Sequence, residues 1–371
     1  MIIAIDGSRA FLRQRTGIEE YSFQTIKHLR DKFDQKDQVV LFLRKGQLEE
    51  LKRQNFDLPK NWIAKEIWMP RFWTQLGLSF EMARGKFDTL FVPAHTVPLI
   101  HPKNTVVVVH GLEYEFLPGA YSLWERWYMR ISIKNSCVWA KKIICVSENT
   151  KKDLMELYKI GAEKISVVYE GYSEVKSQKS IKSKVHKVES LRGEKYLLFV
   201  GRIEERKNVI GMIEAFEILK EKHNVPHKLI LAGRGGFGFE KIKKRAYSSK
   251  FQEDIVFSGF VSEEEKWSLL EGADVFLFPT YYEGFGIPVL EAQSVGTPVI
   301  ASDNSSIPEV IGDDLKKFLV NPDDSNDIAE KTWNFIDDKK LRKNVSEKGL
   351  LNVKRFSWEK CSQQIADAIN N

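Results

Sequence analysis

The sequence predicts an α/β protein of two domains, each an open parallel sheet clad by helices. Three observations predict it. Short β-rich runs alternate with longer helical stretches along the chain, several runs are continuous Val, Ile, Leu and Phe, and one Lys- and Ser-rich segment interrupts the alternation before it restarts. A strand that is apolar on both faces is buried on both, as in a sheet between two helical layers. With 371 residues, 43 % hydrophobic and 29 % charged, the chain can bury two cores and is too apolar to be a disordered tail.

Taken in order, the first-domain strands are expected at 2–5, 39–43, 89–92, 105–109, 142–146 and 165–169. Residues 175–190 are Lys/Ser-rich without a helical stripe and read as a linker. Strands then resume at 196–200, 228–232, 254–257, 274–278 and 298–301, and a helix starts at Trp358. The expected division is a first domain at 1–172, a linker at 173–193, a second domain at 194–355 and a closing helix at 356–371. Two such sheets facing each other would gather the carboxyl ends of their strands around one cleft, where loops bind ligands.

No apolar run approaches the roughly 18 residues that span a bilayer, and the opening run meets Asp6 before a signal-peptide core could form, so a cytoplasmic protein is expected. Cys137, Cys145 and Cys361 are odd in number and lack metal-ligand spacing, which points to reduced, structural thiols. Charge is uneven. Residues 1–200 hold 33 Lys/Arg against 23 Asp/Glu, and residues 201–371 hold 24 against 28. A basic first half suits an anionic membrane face, a phosphorylated acceptor or nucleic acid, and equally a plain solvated surface.

Two loops carry the chemistry. The strand 196–200 runs into Gly201-Arg202-Ile203-Glu204-Glu205-Arg206-Lys207, where Arg202 and Lys207 could clamp a diphosphate, although such a loop can also be merely solvated. The strand 274–278 leads to Glu283-Gly284-Phe285-Gly286-Ile287-Pro288 and on to Glu291. Gly284 and Gly286 allow close backbone approach, and Pro288 suits the first turn of a helix whose free N–H groups would seat a phosphate. Glu283 and Glu291 are too differently placed for an acid/base pair and suit two hydroxyl-bearing parts of one ligand. Taken alone, they read rather as a capping Glu and a solvated helix Glu.

Together these loops resemble the signature of glycosyltransferase family four, retaining GT-B enzymes that use nucleotide sugars. Val200-Gly201-Arg202 with Lys207 resembles the donor-phosphate loop, and Glu283 to Glu291 resembles the family's E-x7-E motif. Residues 146–154 and 165–171 are similar to the end of the first domain, Thr16-Gly17-Ile18 to its first flexible loop, and Phe356-Ser357-Trp358 to the helix that returns to it. The resemblance implies two Rossmann-like domains facing across a cleft. It implies that Arg202 and Lys207 neutralise the donor diphosphate, that Glu291 binds the ribose and that Glu283 holds a hydroxyl of the transferred sugar. Gly201, the backbone of Gly284, Phe285, Gly286 and Ile287, and Gly17 from the other domain would lie at the donor. His110 falls where the family places a histidine near the reaction centre, but Gly111 follows it where Asp is usual, which puts a local support of that histidine in doubt.

The implied activity is hexosyl transfer, mannosyl first and glucosyl second, from GDP-mannose or UDP-glucose to a glycan or lipid-linked acceptor in envelope polysaccharide synthesis. No cofactor is expected, and no metal, since the chain lacks a D-x-D pair and metal-spaced histidines. A nucleotide-sugar 2-epimerase of the same fold is the alternative. Gly233-Arg-Gly235-Gly-Phe-Gly238 after the strand 228–232 is a formal dinucleotide fingerprint and raises an NAD-dependent oxidoreductase as a further one. Nucleic-acid binding has only Arg71-Phe72-Trp73 and Arg126-Trp127-Tyr128 behind it, with no recognised module, and is not expected. In 121–142, Trp124, Trp127, Tyr128, Ile131 and Val138 recur at helical spacing beside Arg126, Arg130 and Lys134. That pattern predicts a core-packed helix with a solvated face, or else a basic aromatic face against anionic lipid.

Overall fold

The computed structural model describes residues 1–172 and 193–370, and the expected linker falls almost wholly outside them. The described chain divides into two compact units. One comprises Met1–Glu115, Tyr121–Gly171 and Phe356–Asn371, the other Phe116–Ala120 and Tyr172–Arg355.

In the first unit, strands β1 (Ile2–Asp6), β2 (Gln38–Arg44), β3 (Trp62–Ile67), β4 (Thr89–Val92), β5 (Asn104–Val109), β6 (Lys142–Cys145) and β7 (Ile165–Val167) form one sheet in the order β3-β2-β1-β4-β5-β6-β7. All its pairings are parallel. In the second, β8 (Tyr196–Val200), β9 (Lys228–Ala232), β10 (Ile255–Gly259), β11 (Val275–Phe278) and β12 (Val299–Ala301) run parallel in the order β10-β9-β8-β11-β12. Each is a Rossmann-like α/β sheet whose order reverses once, beside β1 and β4 in the first unit and beside β8 and β11 in the second, and ligands bind at the carboxyl ends of strands at such a switch. The continuous apolar runs are the buried central strands, Val106 to Val109 and Leu197 to Phe199 among them. Strand β3 was not expected from sequence. It is an edge strand of mixed Ile, Ala, Lys and Glu with Ile63 exposed, so it lacks the doubly apolar run that marks its neighbours.

The closing helix Trp358–Asn370 packs within the first unit. Trp358, Cys361, Ile365, Ala366 and Ile369 form its buried face. The Trp358 ring meets Tyr21 of the helix Gly17–Leu29 at 5.8 Å, and Lys32 pairs with Glu359. Gly171 is needed here, because a Cβ on it would lie 2.2 Å from the Trp358 backbone nitrogen. All three cysteines are free and buried, and burial pushes the Cys137 thiol up to about 12.

The helix Leu123–Trp139 corrects the expectation of a core-packed aromatic stripe. Its buried residues are Ile133, Ser136 and Cys137, whereas Trp124, Trp127, Tyr128, Ile131 and Val138 are exposed. Of the two readings the spacing allows, the structure shows the aromatics exposed, since periodicity marks a helical face without saying which face meets the sheet.

Candidate active site

In the second unit the loops after β8 and β11, adjacent strands at the switch point, meet through charge. Residues Glu205–Lys207 form a single 3-10 turn, closed by Asn208 at φ 54, whose side chain then caps the helix Val209–His223. That turn sends two cations towards β11. Arg206 donates through Nη2 to Glu204 at 2.9 Å, through Nη1 to the Tyr282 carbonyl at 2.8 Å and to Glu283 Oε1 at 3.2 Å. Lys207 donates to the same Glu283 oxygen, and its ammonium lies 5.1 Å from the Phe278 ring centroid. The Tyr281 N–H donates to the Arg206 carbonyl at 3.0 Å, so backbone and side chains both tie the loops together.

Glu283 is buried among these groups. Burial by itself would raise its carboxyl, but the charges and hydrogen bonds of Lys207 and Arg206 outweigh it and hold the group below its ordinary range. Burial pushes the Lys207 ammonium down, with Glu283 opposing. Two cations, Arg206 and Lys207, thus face two carboxylates, Glu204 and Glu283, and the cluster is neutral within itself. Removing one member of such a buried set leaves an uncompensated charge, at a cost of about 3–5 kcal/mol. Ser305 and Ser306 brace the turn from the next loop. Ser305 Oγ accepts from the Glu283 N–H at 3.0 Å, and Ser306 Oγ donates to the carbonyls of Glu283 and Phe285 at 3.0 and 2.6 Å.

Arg202 lies at the edge of that cluster. It is exposed, and its stem lies along the Gly236 backbone, where the Glu204 carboxylate also reaches. The helix Ile287–Ser294 starts at Gly286, which has φ 114 and would place a Cβ 2.9 Å from Ile307, so only glycine begins this helix without strain. Pro288 lies in its first turn, as expected. Glu291 forms a second, separate pair, accepting from Lys266 at 2.8 Å. Burial works against the Lys266 ammonium, but Glu291 and Glu263 prevail and raise it.

The glycines of the formal dinucleotide fingerprint have another explanation. The turn 233–238 zips onto the cationic loop: the Ile203 N–H donates to the Arg234 carbonyl at 2.9 Å, and the Gly236 N–H to the Ile203 carbonyl at 2.8 Å. A Cβ on Gly233 would sit 1.8 Å from the Gly201 carbonyl oxygen, and one on Gly236 2.7 Å from the Arg202 side chain. These glycines let two loops touch. Gly201 itself donates its N–H to Ala232 at 2.9 Å.

In the first unit His110 follows β5. Its Nε2–H donates to the Pro93 carbonyl at 2.8 Å, and Nδ1 faces Glu170 Oε1 at 3.4 Å. Tyr21 and His95 meet the ring edge-on at 4.5 and 5.2 Å. Burial, with His110 and Arg9 nearby, pushes the His95 imidazole well below its ordinary value, so it is neutral. The local support that Gly111 cannot give therefore comes from Glu170, past β7. Gly17 begins the helix Gly17–Leu29 with nothing within 4 Å of where its Cβ would be, so no packing demands a glycine there.

Sequence reasoning paired Arg202 with Lys207, and the structure instead joins Lys207 and Arg206 to Glu283. It missed Arg206, Lys266, Glu170 and His95. Arg206 was visible only as the third cation of its loop, and the others are distant in sequence from the groups they touch.

Known proteins agree with this architecture. The model of glycosyl transferases group 1 matches residues 181–352, and that of glycosyltransferase family 4 matches residues 15–174. O-antigen chain mannosyltransferase B of Escherichia coli is 30 % identical over 65 % of this chain and 63 % of its own length. O-antigen chain mannosyltransferase RfbU of Salmonella typhimurium is 26 % identical over 74 % and 69 %. The matched stretch thus spans less than two thirds of the first relative. Among solved structures, Anabaena HepE in complex with UDP and glucose superposes with a TM-score of 0.76 at 18 % identity, covering 100 % of this chain and 99 % of that one. WaaG, a glycosyltransferase involved in lipopolysaccharide biosynthesis, gives 0.72 at 16 % identity, covering 100 % of both. The chain therefore carries a glycosyltransferase family 4 domain at 15–174 and a glycosyl transferases group 1 domain at 181–352, and the solved structures share its GT-B fold throughout.

Proposed function

We propose that this protein transfers a hexosyl group, mannosyl in the first place and glucosyl in the second, from a nucleotide diphosphate sugar to a glycan or lipid-linked acceptor in envelope polysaccharide synthesis, with retention of configuration and without a metal. The observation that carries the reading is the neutral Arg206–Lys207–Glu204–Glu283 cluster, which fixes the loops after β8 and β11 around a helix start and leaves Arg202 exposed at its edge. Breaking a sugar–phosphate bond develops negative charge on the departing diphosphate. A fixed cation and helix N–H groups beside it stabilise the transition state more than the ground state.

In this reading Arg202 meets the diphosphate, and Lys207 is held by Glu283 until a phosphate competes for it. Glu283 then has a second carboxylate oxygen for a sugar hydroxyl, and Glu291 takes the ribose. The backbone N–H groups of 284–287 face phosphate and sugar. His110, with Nε2 engaged by Pro93, is a positioning group of the first unit, and the open space at Gly17 suits a phosphate approaching the backbone. No enzymic nucleophile is required, because the leaving phosphate can take the acceptor's proton. The names of the two relatives support a mannosyl donor, and UDP with glucose in HepE supports the second choice.

A thermal-shift panel of GDP, UDP, ADP and their sugars tests the donor, since a ligand that binds only the folded state raises its melting temperature. A rise with GDP and GDP-mannose in excess EDTA is expected. No rise with any nucleotide, or a rise that EDTA abolishes and Mg²⁺ restores, overturns the reading.

A further inference from the structure

The sheet of the first unit has its own switch point, between β1 and β4, where ligands of such sheets bind. Around it, Arg44 closes β2, Arg9 follows β1, His95 follows β4 and His110 follows β5. Local hydrogen bonds fix these loops. The Gly7 N–H donates to the Phe42 carbonyl at 2.8 Å and the Ala10 N–H to the Gly7 carbonyl at 3.0 Å, which turns the chain tightly after β1. Gln47 ties that turn to the end of β2: its Oε1 accepts from the Arg44 N–H at 2.8 Å, and its Nε2 donates to the Ser8 carbonyl at 2.9 Å. The His95 N–H donates to the Val108 carbonyl at 2.9 Å, and His95 is held at φ 46, a left-handed conformation uncommon for any residue with a side chain. Strain of this kind persists only where the surroundings impose it, and it gathers at ligand sites.

The arginines here differ in what answers them. Arg15 is closed by Glu20 at 2.6 Å and Gln54 at 2.9 Å. Arg9 is exposed and reaches Glu19 only at 3.8 Å, while the other oxygen of Glu19 accepts from the Thr16 N–H at 2.7 Å. Arg44 is half-buried, with its guanidinium 5.7 Å from the Trp73 ring centroid. The Nε–H of Arg44 and the Nε1–H of Trp73 are both buried without an acceptor. Asp6 acts on Arg44 through space, but Asp6 Oδ1 already accepts from the Ser8 N–H at 2.9 Å. Arg9 is near enough to act on both Arg44 and His95. Like charges held together beside unsatisfied donors are unfavourable unless a ligand answers them. A phosphate does so: its oxygens match the planar fork of arginine, and a neutral imidazole adds one N–H. We infer that Arg9, Arg44 and His95 form a subsite for a phosphate group, so that the acceptor of this enzyme is a phosphate ester seated by its phosphate on the first unit. Only the assignment to the acceptor rests on the proposed transfer, because the subsite stands on its own geometry. A soluble sugar phosphate and a prenyl-linked diphosphate carry the same group.

Calorimetric titration of the full chain with α-D-mannose 1-phosphate, geranyl diphosphate and methyl α-D-mannoside decides the matter. At least one of the two anions should bind, and the uncharged glycoside should not. R9Q changes an exposed side chain, so its melting temperature should match wild type while anion affinity falls about tenfold or more. R44K keeps the charge but loses the fork and should also bind the anion more weakly. R202A, in the second unit, should retain the binding. Tighter binding of geranyl diphosphate marks a prenyl-linked acceptor and tighter binding of mannose 1-phosphate a soluble one, and either supports the inference. Absence of binding by both anions, or wild-type affinity in folded R9Q and R44K, overturns it. So does binding that R202A abolishes and R9Q leaves intact, since the phosphate would then sit on the donor loops. Nucleotide binding by the wild type, measured on the same samples, reports the donor site separately, so failure of one reading leaves the other legible.

Discussion

The two units present opposite kinds of surface. In the second, the ion pairs at the strand ends are closed among side chains before any ligand arrives: Glu283 answers Arg206 and Lys207, Glu204 answers Arg206, and Glu291 answers Lys266. In the first, one histidine is braced by Glu170 and Pro93, and Trp124, Trp127 and Tyr128 of the helix Leu123–Trp139 are exposed. The contrast teaches that charge at strand ends is fixed in advance by short loops that pair with one another, whereas an apolar stripe can stay exposed on one side of a helix. Preorganised dipoles and charges need no reorganisation during reaction.

The largest expected effect that would break this comparison lies in turnover. R202A/K207A should lose about 10²-fold or more, in line with other groups that stabilise transition-state charge. Wild-type turnover in that variant would remove the donor site from the second unit. Next comes stability, which separates the two arginines of one loop. R206A strips Glu283 and Glu204 of a shared partner and should cost about 3 kcal/mol, read as a melting temperature lower by roughly 6–10 °C. R202A, at an exposed position, should stay within about 0.5 kcal/mol of wild type. Equal losses would show that the cluster does not organise the turn.

The smallest effect is the pH dependence of stability. Because Glu283 is held below its ordinary value of 4.5, its contribution is present above that value and is lost as pH falls through its lower folded value. Wild type should therefore lose stability below about pH 4.5 more steeply than E283Q, which no longer titrates there. Parallel acid limbs in the two proteins would mean that Glu283 is not ionised against Lys207 and Arg206.

Much of this was legible in sequence because parallel strands and glycine turns are local. Runs such as Val106 to Val109 and the Gly286–Pro288 helix start state their structure within a few residues. What was not legible depends on contacts across the chain. Arg206 and Arg202 are chemically the same in one loop, and only the position of the β11 loop decides which is tied to Glu283 and which is exposed. The 233–238 turn shows the reverse error. Its glycines satisfy a cofactor pattern, yet Gly233 is required by the carbonyl of Gly201. The face of the helix Leu123–Trp139 was legible as a stripe, but its direction was set by Ile133, Ser136 and Cys137, which bury the opposite side.

The central claim is that the loops after β8 and β11 bind the diphosphate of a nucleotide sugar. Calorimetric titration of the full chain with GDP and with UDP tests it most directly, with R202A alongside. The account predicts saturable one-to-one binding of one of these nucleotides, preserved in excess EDTA and weakened at least tenfold by R202A with no change in melting temperature of the free protein. Absence of binding by either nucleotide, or identical affinity in R202A, would contradict it.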